Sequence, residues 1–242
     1  MILIGHRGAR KEAPENTLAG FRHLRQLGIN HVELDVRLSQ DHKLVVLHDT
    51  TVNRTTTSKG QVLDFTAEDL FQMDASQPIP HWPEPTGIPG LETVLSEWPN
   101  LKSIQLEVKT APNDVLLKIG HGLVELIQTY QLQNKAIVTS ADQNLLSIMH
   151  RLAPTVRRGF VAERFTRDPL EVCLNHHCSH LVINYHRCSA SLIDTAHQAG
   201  LEVSTWTVNE VNAARRLQNW GVDSIITDVP STLLKHLHVA AE

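Results

Sequence analysis

The chain has 242 residues, 41% hydrophobic and 20% charged, with a net charge of −4 and three cysteines. That length fits one large domain and is common among α/β barrels. The charge shows no nucleic-acid footprint, the cysteines have no zinc-ribbon spacing and imply no disulfide framework, and no apolar run approaches a membrane span.

The start, Met1-Ile2-Leu3-Ile4-Gly5-His6, lacks a basic region and is too short to be a signal peptide. The expectation is a cytoplasmic protein with no stable membrane association. Ile2–Ile4 reads as a strand, and His6 continues the face of Ile2 and Ile4. Gly5-His6-Arg7-Gly8 is a strand-end turn. Leu18–Leu27 carries apolar residues at helical spacing (Leu18, Phe21, Leu24, Leu27) and stops at Gly28.

Two β-rich arms follow, Val32–Leu38 and Leu44–Leu47, around the polar turn Gln40–Lys43. An antiparallel hairpin there places Asp35 opposite or nearly opposite His48. Side chains alternate along a strand, so Glu33 and Asp35 share a face.

Residues 50 to 90 break the rhythm with Thr-rich and Pro-rich segments and one short helix, Thr66–Met73, capped by Thr66. This stretch reads as an insertion or small lobe over one end of the domain. Leu91–Trp98 is a helix returning to it. Then strands and helices alternate: Ser103–Val108, Asp114–Tyr130, Ala136–Thr139, Asn144–Leu152, Arg158–Ala162, Asp168–His176, His180–Asn184, Ser189–Ala199, Glu202–Val208, Val211–Trp220, Asp223–Thr227 and Ser231–His238.

Alternation of this kind means parallel βα units. The Leu44–Leu47 arm has no crossover helix before it, so it cannot readily lie parallel to its neighbour. Setting it aside leaves eight parallel strands, the number for a closed (β/α)8 TIM barrel over residues 1–242. An open doubly wound sheet would carry a Gly-rich phosphate turn after its first strand, and Gly-His-Arg-Gly-Ala-Arg does not match that spacing.

Barrel active sites lie at the C-terminal strand ends. His6, Arg7, Glu33, Asp35, His48, Glu107, Lys109 and Trp206 converge there. On the strand Ser103–Val108, Ile104, Leu106 and Val108 form an apolar side, so Gln105 and Glu107 face the axis. Glu33, Asp35 and Glu107 make a three-carboxylate oxygen set suited to one hard cation, Mg²⁺ or Ca²⁺. The bland alternative pairs Glu107 with Lys109 and Asp35 with Arg37.

His6 and His48 could serve as general acid and base. Among the fifteen histidines, His23, His42, His121, His197 and His238 read as solvated. Arg7 and Lys109 would supply fixed positive charge for a phosphate. Trp206 could wall off an apolar part of a substrate, or be a plain core aromatic. Cys173, His176, His177, Cys178, His180, His186 and Cys188 lie close in sequence but match no standard zinc spacing.

His6-Arg7-Gly8, Pro14-Glu15-Asn16-Thr17, Glu33-Leu34-Asp35-Val36, His48-Asp49, Arg54-Thr55-Thr56, Leu106-Glu107-Val108-Lys109, Trp206-Thr207-Val208-Asn209, Gly221-Val222-Asp223 and Ile226-Thr227-Asp228-Val229-Pro230 occur in that order. This ordered set resembles the glycerophosphodiester phosphodiesterases, in their short cytosolic bacterial form. The resemblance implies a TIM barrel with a small insertion after the hairpin. It implies hydrolysis of a small-molecule glycerophosphodiester, such as glycerophosphocholine or glycerophosphoethanolamine, to sn-glycerol 3-phosphate and an alcohol.

By the same resemblance, metal ligands fall on Glu33, Asp35 and Glu107, and catalytic histidines on His6 and His48. Arg7 and Lys109 fall on phosphate-contacting positions, and Glu15 and Asn16 on a motif that lines or supports the site. Ser140-Ala141-Asp142 stands where Ser-Phe is more usual, and Pro89-Gly90-Leu91 where Pro-Thr-Leu is, which bears on substrate fit. Two other readings compete with this one. A phosphodiesterase of the same barrel acting on lysophospholipids or phosphoinositides would favour a basic or apolar rim; the insertion has Phe65, Phe71 and Trp82 but no basic cluster. A non-catalytic phosphodiester-binding module would lack a catalytic position, and all are filled. The sequence gives no indication of oligomeric state.

Overall fold

Eight parallel strands close on themselves in a computed structural model that describes residues 1–163 and 166–237. The end of the last expected helix, His238, lies outside the described residues. The strands are β1 (Ile2–His6), β2 (His31–Leu38), β3 (Leu44–Val46), β4 (Ser103–Val108), β5 (Ala136–Ser140), β6 (Arg157–Ala162), β7 (His180–Asn184), β8 (Glu202–Trp206) and β9 (Ser224–Thr227). The helices are α1 (Leu18–Gln26), α2 (Ala67–Gln72), α3 (Leu91–Ser96), α4 (Asn113–Thr129), α5 (Gln143–Leu152), α6 (Pro169–Asn175), α7 (Ala190–Gln198), α8 (Val211–Asn219) and α9 (Pro230–His236). The barrel runs β1-β2-β4-β5-β6-β7-β8-β9 and closes by the parallel β9–β1 pairing. This is the (β/α)8 TIM barrel that the strand count implies.

β3 stands apart. It pairs antiparallel with β2 through Val36↔Val46, Arg37↔Val45 and Leu38↔Leu44. β4 already occupies the other edge of β2, as far as Val36↔Val108. So β3 lies on the edge that β1 uses lower down, at Gly5↔Val32 and His6↔Glu33. β1 therefore climbs this edge and stops, and β3 descends towards it. The hairpin brings the Leu47 amide to the Asp35 carbonyl at 3.1 Å, one residue from His48.

The outward faces of the strands are apolar for a simple reason: helices cover them. Val32, Leu34, Val36, Ile104, Leu106 and Val108 are buried against that shell. Inside the barrel, Ile4, Val161, Val182 and Ile226 form a separate cluster, with Ala141 and Trp206 packed on it. Below it, Gln105 Nε2 donates to Ser204 Oγ at 2.9 Å, and Ser204 meets Ser224 at 2.5 Å. These bonds link polar side chains on three strands, while Gln105 Oε1 has no partner.

Local signals set the helix starts. Thr17 accepts from the Gly20 amide, Asp168 from Leu170 and Glu171, and Thr66 and Asp69 cap each other's backbone. The strand expected over Glu202–Val208 ends at Trp206. Residues 50–90 carry their own core of Val52, Val62, Leu70, Ala75 and Ile88, which continues onto Val45 and Leu47. β3 and the residue after it thus split their side chains, with Leu44 and Val46 in the main core and Val45 and Leu47 in the smaller one. Gly87 fits there for lack of a side chain: a Cβ would lie 1.8 Å from the Phe71 carbonyl oxygen.

Candidate active site

Strand register decides what meets at the top of the barrel. His6 aligns with Glu33, Asp35 with Glu107, and Glu33 with Gln105. One oxygen from each of Glu33, Asp35 and Glu107 lies within 4.8 Å of the others. Glu33 and Asp35 are buried and Glu107 is partly so. Burial raises the Glu33 carboxyl well above its ordinary range, and Asp35 and Glu107 add to that. Burial raises Glu107 as well. Asp35 goes the other way: burial opposes its charge, but Lys109 and Arg7 outweigh it and hold the carboxyl low.

Glu33 Oε1 is buried with no hydrogen-bond partner. An orphaned oxygen among three converging carboxylates fits a hard divalent cation, which takes oxygen ligands and removes the repulsion. Among the described residues this is the only group of three metal-ligating side chains that converges. The Cys173–Cys188 segment does not assemble one. His176 instead bonds Ser147 and Gln143, and His180 faces Glu202.

The two cations that the sequence pointed at a phosphate lie against these carboxylates. Lys109 Nζ is 2.9 Å from Asp35 Oδ1 and also pairs with Glu107. Arg7 donates its backbone N–H to Glu33 at 3.1 Å and Nη1 to Glu15 at 2.8 Å, with Nε 3.1 Å from Asp35. The Asp35–Arg37 pairing does not form; Arg37 donates twice to the His48 carbonyl, at 3.1 and 2.6 Å. Asn16 Nδ2 donates to Asp35 Oδ2 at 2.9 Å. Arg7 and Asn16 both adopt positive φ, 51° and 55°, in the turns that aim them inward.

Each candidate histidine has an aspartate behind it. His6 Nδ1 is 2.6 Å from Asp228 Oδ1, since β9 lies beside β1. Burial pushes the Asp228 carboxyl up, but the His6 and Asn209 contacts bring it below its ordinary value. An ionised carboxylate only accepts, so Nδ1 carries the proton and Nε2 is left for the cavity. His48 Nδ1 likewise sits 2.6 Å from Asp49 Oδ1. Burial resists ionisation of Asp49, but Arg54 and His48 bring it down to about 2. Burial, with Arg7 and Lys109, holds His48 below its ordinary value against the pull of Asp35.

Asp49, Arg54, Asn209 and Asp228 all stand in the ordered motifs, where spacing alone gave them no role. Arg54 binds Glu15 through two nitrogens, both at 2.8 Å, and Asp49 through Nε at 2.7 Å. Burial works against the Glu15 charge, yet Arg54 and Arg7 hold its carboxyl at about 2. His6, His48, Glu33, Glu107, Lys109 and Trp206 line one cavity of about 460 Å³. The size suits a small molecule. Among the described residues no helix is long and apolar enough to cross a membrane.

The sequence model described as "Glycerophosphoryl diester phosphodiesterase family" matches residues 6–232. A glycerophosphodiester phosphodiesterase of Caldanaerobacter subterraneus subsp. tengcongensis is 32% identical over 234 residues, 96% of each chain. A lysophospholipase D of Rattus norvegicus is 23% identical over 273 residues, covering 97% of this chain and 85% of its own. Among solved structures, an Oleispira antarctica phosphodiesterase in complex with the product sn-glycerol-3-phosphate superposes with a TM-score of 0.88. It is 27% identical, over 98% of this chain and 96% of that one. The chain belongs to the glycerophosphoryl diester phosphodiesterase family, which is generally dependent on a divalent metal, and is a phosphodiesterase.

Proposed function

We propose that this barrel, one domain with its 50–90 segment, hydrolyses small glycerophosphodiesters to sn-glycerol 3-phosphate and an alcohol. The carrying observation is the pair of Asp-backed imidazoles, His6–Asp228 and His48–Asp49, beside a three-carboxylate cluster in one cavity. Glu33, Asp35 and Glu107 would hold Mg²⁺ or Ca²⁺, which when bound supplies Lewis-acid stabilisation of phosphoryl charge.

The residues divide the rest of the work. His6 Nε2, left free by Asp228, takes the proton of the nucleophile, either water or the substrate's own 2-hydroxyl. His48, backed by Asp49, returns a proton to the leaving alcohol oxygen. Arg7 and Lys109 hold the phosphoryl charge as it grows, with Arg7 kept in place by Glu15. Asn16 steadies Asp35, and Trp206 closes one side of the cavity against water.

The test is release of sn-glycerol 3-phosphate from glycerophosphocholine, with and without EDTA, followed by Mg²⁺ or Ca²⁺ add-back. Release that EDTA stops and a cation restores is the expected result. No release from several glycerophosphodiesters with metal present would overturn this reading and favour a lysophospholipid substrate.

A further inference from the structure

The active-site cavity has two unlike halves. The charged half comes from β1, β2 and β4 and the residues that follow them: His6, Arg7, Glu33, His48, Glu107 and Lys109. Across the barrel axis the wall belongs to β6–β9. Val161, Val182 and Ile226 line it, with Ala141 and Trp206 packed against them. Ala141, where the sequence departs from the family pattern, leaves this wall open rather than filled. None of the four aliphatic side chains can donate or accept a hydrogen bond.

One charge interrupts that wall. Glu163 follows β6 two residues after Val161, so it continues the same inward face at the rim. Its backbone is anchored: the Arg187 guanidinium donates to the carbonyls of Glu163 and, at 2.6 Å, Thr166. Its carboxylate, however, has no cation within ion-pair distance among the described residues. Arg187 thus binds the backbone carbonyls of Glu163 and Thr166 and not the Glu163 carboxylate, which lines the cavity.

We propose that this half is a head-group subsite for a quaternary ammonium, with Glu163 and Trp206 as its specificity-determining residues. The inference rests on the reading that a glycerophosphodiester is the substrate. With the phosphate over the charged half, one ester arm reaches the β6–β9 wall. A trimethylammonium carries a full charge, has no N–H to satisfy and sheds water readily. An apolar surface with an aromatic ring and one carboxylate complements it. A polyol arm would bring several hydroxyls to a wall whose aliphatic side chains offer them no partner, leaving only Glu163 and Thr207 to meet them. An anionic arm would meet Glu163.

The experiment compares glycerophosphocholine with glycerophosphoinositol on the metal-loaded enzyme and on Glu163→Gln and Trp206→Leu. The expected result is a kcat/KM preference for the choline ester of at least about tenfold. In each variant that preference falls to within about twofold, with the loss in KM for the choline ester. Equal kcat/KM for the two esters, or losses equal for both in the variants, overturns the subsite while leaving the phosphodiesterase reading intact. Should neither ester be hydrolysed, that reading fails, and equilibrium binding of the two esters decides the subsite. A choline ester bound about tenfold tighter, with the difference lost in Glu163→Gln, supports it; equal Kd values overturn it.

Discussion

Arg54 and Glu15 form a two-point ion pair, Nη1–Oε2 and Nη2–Oε1 both at 2.8 Å, between segments 39 residues apart. Arg54 belongs to the start of the 50–90 segment and Glu15 to the loop after β1. From Arg54 the contacts continue through Asp49 to His48, and from Glu15 through Arg7 to Asp35. The small lobe is thereby tied to both the candidate catalytic acid and a candidate metal ligand.

Replacing Arg54 with Ala leaves Glu15 buried with Arg7 and Arg10 as its remaining partners. Breaking a fully buried pair costs roughly 3–5 kcal/mol. The Arg54 side chain is 39% exposed, so solvent recovers part of this. We expect a loss of about 2 kcal/mol by urea unfolding, scaled down for screening. Arg54→Lys, which cannot make the fork, should recover less than half.

Glu15 also sets an acid limit. Its folded carboxyl titrates at about 2 against an ordinary 4.5. A depressed folded value contributes stability that is fully present above the unfolded value and is lost as pH falls through the folded one. The contribution is therefore intact above about pH 4.5 and gone near pH 2. The difference corresponds to about 3 kcal/mol, at about 1.4 kcal/mol per pH unit. Glu15→Gln should flatten the stability-versus-pH curve between those limits by up to that slope. An unchanged acid limb in that variant would refute the assignment.

His6→Ala and His48→Ala should each lower kcat by at least about a hundredfold, the usual scale of a lost acid or base. Circular dichroism should show the barrel intact. Asp228→Asn and Asp49→Asn should lower kcat by about tenfold with KM within twofold, because they disturb the tautomer and ring orientation rather than binding. Wild-type kcat/KM should be bell-shaped across the imidazole range; near-normal turnover in either alanine variant removes that histidine from the mechanism.

Metal binding should register without turnover. A ligand that binds only the folded state at about 100 times its Kd stabilises by about 2.7 kcal/mol. Mg²⁺ or Ca²⁺ should therefore raise the Tm, and Glu33→Gln, which removes the buried carboxylate bearing the orphaned oxygen, should shrink that rise. An equal rise in both proteins would place the cation elsewhere.

Much of this site was legible because period and register are local. Two-residue alternation put Glu33 beside Asp35, and the strand count gave the barrel. What spacing could not supply was pairing across the chain. Asp228 reaches His6 over 222 residues, because β9 closes on β1. Arg54 reads in sequence as a polar loop residue until the small core of Val52, Val62 and Leu70 fixes where its loop lies. Arg7 and Lys109 were read as phosphate ligands. The structure shows that they also lie against carboxylates, and of these contacts only Glu107–Lys109 was considered from the sequence.

The shared edge of β2 also constrains how this chain can vary. Because β1 climbs that edge and β3 descends it, the separation of the two imidazoles is counted in residues through the turn between Leu38 and Leu44. One residue more or fewer there would swap Val45 and Leu47 between the two cores and turn His48 to the opposite face. Two would slide it by roughly 7 Å. The lobe obeys no such count, since it leaves and re-enters the barrel where Val45 meets Gly90. Insertions and deletions among relatives should therefore collect beyond Arg54, between residues 57 and 86, and spare the hairpin turn.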